Sequence, residues 1–142
     1  MTSTGFKVGK YEFVNIVVPA ADTRSEFYFP DLPNLRDARI QAISVYTSSN
    51  IAADPNGISV MNVTDTEKCF LVLNINDKED IKIPFVSLVA LYTTVLASLN
   101  LANQNGYLPF AGQVVRWSKS YVKFPSGHDA GQFSICMGVF YK

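Results

Sequence analysis

Histidine occurs once in this chain, as His128, and cysteine twice, as Cys69 and Cys136. So few soft ligands exclude a Cys/His zinc site and any dense disulfide framework. Both cysteines lie inside apolar runs, where the residue acts as a small hydrophobe, and a bridge between them would need two strands to align them. No glycine-rich phosphate loop and no GxSxG elbow is present, so the sequence implies no cofactor and no nucleotide chemistry. Charge is also scarce: 17% of 142 residues are charged, with a formal net charge of zero, against about 25% in an average soluble protein. Without excess positive charge there is no bulk attraction to nucleic acid or to an anionic membrane, so neither is an expected partner. The opening MTSTGFKVGKYEF has no apolar signal core, and no run is apolar enough to suggest a membrane span, which predicts a cytoplasmic product.

What the chain has in quantity is alternation. Hydrophobic residues make up 48% of it, and the length predicts one domain, residues 1–142, able to bury a core without staples. FKVGKYEFVNIVV (6–18) mixes aromatic and β-branched residues and predicts an opening strand or pair of strands. AADTRSEFYFPDLPNLRD, with Pro30 and Pro33, predicts a loop. RIQAISVYTSS predicts a second long strand, ADPNG a turn, and ISVMNV its return. KCFLVLNI and IKIPF flank NDKED as the best hairpin in the chain. From Leu88 to Leu99 the apolar spacing turns helical while Thr93, Thr94 and Val95 favour a strand, which leaves a short helix near 88–99 and a strand with loop as alternatives. NQNGYLPFAG predicts a loop, QVVRWSKSYVKF a long strand, PSGHDAG a turn and GQFSICMGVFYK a closing strand paired with the one before. About six to eight strands separated by Pro, Gly and Asn turns predict an all-β, antiparallel β-sandwich or barrel. Its core is expected to include Ile40, Val45, Leu71, Leu73, Ile83, Val115, Ile135, Met137 and Val139.

Candidate chemistry is thin. Ser126, His128 and Asp129 are the residue types of a hydrolase triad, but so close in one turn they cannot align nucleophile, base and acid, and a solvated turn is the expected state. Asn74, Asn76, Asp77, Glu79 and Asp80 offer oxygen ligands without the central glycine and distant glutamate of a calcium loop, so a solvated hairpin tip is expected there. On a continuous strand over 114–124, Val115, Trp117, Lys119, Tyr121 and Lys123 would share one face, able to stack on a sugar ring or a base and hold an anionic group; the competing reading makes the aromatics core or interface anchors with rim lysines. Every acidic residue except Asp129 precedes Ile81, and from Ile83 to Val115 no residue carries a formal charge. That uncharged stretch holds Tyr92, Tyr107 and Phe110, the aromatic content of an interface between subunits, and makes them the candidate interface residues.

The run from IKIPFVSL through GYLPFAGQVVRWSKSYVKF to FSICMGVFYK resembles small jelly-roll proteins of bacteriophage virions, over about the last sixty residues. The resemblance implies a capsid or capsid-associated subunit without catalysis, assembled in the host cytoplasm into a virion, with copies of itself and other virion proteins as partners. The alternative is a ligand-binding sandwich, carbohydrate-binding through Trp117 and Tyr121. FKVGKYEF also resembles the start of intracellular lipid-binding barrels, but Pro30 and Pro33 stand where their helical pair would follow.

Overall fold

The computed structural model describes residues 10–89, 107–128 and 130–142. Within them run β1 (Lys10–Val18), β2 (Glu26–Tyr28), β3 (Arg39–Tyr46), β4 (Phe70–Ile75), β5 (Glu79–Pro84), β6 (Tyr107–Val114), β7 (Tyr121–Lys123) and β8 (Phe133–Tyr141). They form two antiparallel four-stranded sheets, ordered β1-β8-β3-β6 and β2-β7-β4-β5.

The pairing is nested. β4 pairs with β5, β3 with β6, β2 with β7 and β1 with β8, as in one long hairpin, and the roll is completed where β8 also pairs with β3 and β7 with β4. This strand order is that of a jelly roll, two sheets with Greek-key connections. The tip of the nested hairpin is the NDKED turn predicted from sequence: Asn76 and Asp77 both have φ near +60° (54° and 60°), and the Lys78 amide bonds the Ile75 carbonyl at 2.9 Å. Two successive left-handed residues match the twist of the flanking strands, and Asn and Asp tolerate that conformation better than most side chains.

One apolar core fills the space between the sheets. All nine residues expected there are in it, joined by Phe27, Phe29, Leu35, Trp117, Val122 and Phe124. Val115 and Trp117 line it from one side, and Ile135, Met137 and Val139 from β8.

Several local expectations are corrected. The closing strand does not pair with the preceding one: β7 and β8 lie in different sheets, and β8 sits between β1 and β3. All nine β8 residues are therefore buried. Its second face is covered by a small cluster of Phe13, Tyr46, Ile51, Val60 and Cys136, to which the loop after β3 contributes Ile51 and Val60. QVVRWSKSYVKF is not one strand, because the chain has to pass from the first sheet to the second. Trp117–Lys119 form a 3-10 turn at that corner, fastened to β4 by Arg116 N to Asn74 O (2.9 Å) and Asn74 N to Ser120 Oγ (3.0 Å). ISVMNV forms only isolated bridges, Ser59 to Ala53 and Val60 to Ser134. β2 lies in the segment predicted as a proline loop, and β6 takes in YLPFAG from the segment predicted as a loop. Phe85–Leu88 is a 3-10 turn; the remainder of the 88–99 question, and Tyr92 with it, falls outside the described residues apart from Val89, which bridges to Val45.

Candidate functional site

The corner between β6 and β7 separates the residues that a continuous strand would have aligned. Trp117 turns inward: it is 4% exposed and its ring meets Phe29 edge-on at 5.0 Å. Its indole N–H has no hydrogen-bond partner among the described residues, so packing holds the ring. A buried ring cannot stack on a sugar, and the proposed Trp117–Tyr121 platform does not exist. Lys119 points out and meets Asp77 at 2.7 Å, and Arg116 reaches the other oxygen of the same carboxylate, also at 2.7 Å. Hydrogen bonds from Lys119 and then Arg116 hold the Asp77 carboxyl below its ordinary range. The hairpin tip is solvated as expected, residues 76–80 all being exposed, and is also clamped onto the β6–β7 corner, with Asn74 bonding Asp80 at 2.8 Å.

Tyr121 and Lys123 do share a face, the outer surface of the second sheet. On β7 they alternate with Val122, which enters the core; on β2 Glu26 and Tyr28 alternate with Phe27 in the same way. Register then places Tyr28, Tyr121, Val72 and Lys82 in one row across the sheet, and Glu26, Lys123, Phe70 and Pro84 in the next. Tyr28 and Tyr121 lie 5.0 Å apart, centre to centre, with Tyr28 51% exposed. Lys123 bonds Glu26 at 3.0 Å, which raises its pKa, and Lys82 stands 5.3 Å from the Phe70 ring. The surface is an aromatic pair rimmed by one ion pair. Sequence reasoning missed Glu26 and Tyr28 because Pro30 and Pro33 masked the alternation of EFYF.

The remaining reactive groups are engaged in packing. His128 is half-buried among Phe27, Phe124 and Phe133, with ring centres 5.3 to 5.7 Å away, instead of standing in a solvated turn; Asp129 lies outside the described residues. Cys69 and Cys136 are both free thiols and buried. Burial, with a smaller contribution from the nearby Asp65, pushes the Cys69 thiol far up, and burial pushes Cys136 up to about 11. Such thiols stay protonated at neutral pH and are poor nucleophiles.

Tyr107 and Phe110 stand in β6, an edge strand of the first sheet. Among the described residues no helix is long and apolar enough to cross a membrane. The class defined by this architecture is the all-β jelly-roll sandwich. No family model matches the chain, and no curated protein and no solved structure matches it.

Proposed function

We propose that this chain is a non-enzymatic structural subunit of a virion, a bacteriophage capsid or capsid-associated protein that self-assembles through neutral, aromatic-containing surfaces. The observation that carries the reading is the strand order β1-β8-β3-β6 over β2-β7-β4-β5, an architecture that recurs in capsid subunits. Because one fold serves many functions, the surface chemistry has to agree, and it does. Charge is scarce, the thiols are buried, and Arg116, Lys119 and Lys123 are each paired with a carboxylate. Its partners are further copies of itself and other virion proteins, and its location is the particle.

A second reading, a carbohydrate-binding jelly roll, is favoured by one observation, the exposed Tyr28 beside Tyr121. Tyrosine rings flanked by Glu26 and Lys123 present an apolar face with polar groups at its edge, which suits a sugar ring.

Sedimentation of the purified chain over a wide concentration range, with Tyr107→Asp and Phe110→Glu alongside, separates the two. A structural subunit forms oligomers, and the charged variants lose mass while keeping their melting temperature, since interface cores exclude charge. A chain that stays monomeric at high concentration and binds a glycan array, with binding lost in Tyr28→Ala, is the carbohydrate-binding module instead.

A further inference from the structure

A jelly roll leaves four sheet edges, and in this chain three of them are blunted. β2 is only three residues long, with Pro30 close behind it. β5, EDIKIP, carries Glu79, Asp80, Lys82 and Pro84. β6 contains Pro109, which has no amide hydrogen, and Gly112 at φ +72°, and its pairing with β3 shifts register between Ile40 and Ala42. Short length, charge, proline and irregularity are the devices by which proteins stop an open edge from pairing with another chain.

Within β1 these devices are confined to charge at its first residues, and Pro19 lies beyond its end. It runs nine residues, and its register with β8 is unbroken from Lys10↔Tyr141 to Val18↔Phe133. After Lys10 and Glu12 the strand reads Phe13-Val14-Asn15-Ile16-Val17-Val18, without charge, proline or glycine. Among the described residues only β8 pairs with it. The result is an unbroken edge about 30 Å long whose outward N–H and C=O groups meet no strand among the described residues.

From this we infer that β1 pairs antiparallel with β1 of a second copy of the chain, across a twofold axis at Val14. The occupant follows from self-complementarity. Turned about Val14, the strand sets Lys10 opposite Val18 of its copy, Tyr11 opposite Val17, Glu12 opposite Ile16 and Phe13 opposite Asn15, so all nine residues are used. Each position faces one of the same parity. The core-facing set of Val14, Ile16 and Val18 therefore continues on the same side in both copies, as an extended sheet requires. No like charges come opposite one another, which in an antiparallel pair would be destabilising. The joined sheet would read β6-β3-β8-β1-β1-β8-β3-β6, an isologous contact that closes at two copies. The inference rests on the self-assembly part of the proposed function and adds the β1 surface to the segment tested at Tyr107 and Phe110.

The test joins mass to register. Sedimentation of the full chain should give at least twice the monomer mass. Val17→Lys should raise the dissociation constant at least tenfold at an unchanged melting temperature, because Val17 is half-buried, packs in neither apolar cluster and lysine on an edge opposes pairing. The double variant Glu12→Cys with Ile16→Cys should form a covalent dimer under mild oxidation, while each single variant and the parent, whose thiols are buried, should not. If the chain associates but the double variant crosslinks no better than the singles, the β1 contact is wrong and self-assembly uses another surface. If the chain is monomeric at every concentration, the contact and the self-assembly reading fall together.

Discussion

Gly138 on β8 lies directly beneath the phenol of Tyr46 on β3: a methyl group at 138 would collide with the Tyr46 hydroxyl and come within 2.8 Å of Tyr11 Cε1. The missing side chain is the space in which the Tyr11 and Tyr46 hydroxyls meet, at 3.2 Å. Burial, then the neighbouring Tyr46, pushes the Tyr11 phenol far above its ordinary range, so the Tyr11 hydroxyl keeps its proton at neutral pH. Gly138→Ala should therefore destabilise by about 1–3 kcal/mol, the usual cost of overpacking. In a Tyr46→Phe background, where the colliding oxygen is gone, the same substitution should cost measurably less. A double-mutant cycle by urea unfolding reads the coupling; additive effects would mean that the crowding is relieved elsewhere.

Asp54 secures the loop that covers β8. Its carboxylate is 5% exposed and accepts from the amides of Asn56 and Ile58, both at 2.9 Å, and from Asn15 Nδ2 at 3.1 Å. Burial raises the carboxyl's pKa, but hydrogen bonds from Ile58, Ser134, Asn56 and Asn15 outweigh it and hold the group below its ordinary value. A carboxyl depressed in the folded state stabilises fully above its unfolded value of about 3.9, and the contribution is lost as pH falls through the folded value. Asp54→Asn should thus be less stable than the parent at pH 7, and the gap should narrow below about pH 4. Denaturant midpoints at the two pH values measure it. A gap constant with pH would assign the effect to geometry alone.

Removing residues 133–142 deletes a central strand, not an edge. Phe133, Ile135, Met137, Val139 and Tyr141 leave the core, each worth roughly 1.5–3 kcal/mol when fully buried, against a whole-domain stability of about 5–15 kcal/mol. Both β1 and β3 lose their partner. The truncated chain should be insoluble on expression, and a soluble, cooperatively melting product would contradict the central placement of β8.

For Trp117, substitution reports packing and not ligand contact. Trp117→Ala should cost about 3–5 kcal/mol. Trp117→Phe should cost distinctly less, because it keeps the edge-on contact with Phe29 and discards an N–H that bonds nothing among the described residues. Thermal melting orders the three proteins; equal stability of all of them would place the ring outside the core.

The sequence by itself determined the class and the core. Period-two alternation names which side chain of each strand faces inward wherever it appears, so Leu71, Leu73, Ile83, Ile135, Met137 and Val139 were legible without a structure, and NDKED marked the hairpin between KCFLVLNI and IKIPF. Alternation does not say which strand lies beside which, or that a strand is covered twice. Only the tertiary structure placed β8 between β1 and β3 and laid the loop after β3 over its second face, because pairing is decided by long-range register. It also decided the candidate site. Trp117 and Tyr121 stand two positions either side of Lys119, a spacing that aligns them on a strand. The chain instead turns between the two sheets at that point, so the tryptophan enters the core while Tyr121 emerges beside Tyr28, from a segment whose prolines had hidden its alternation.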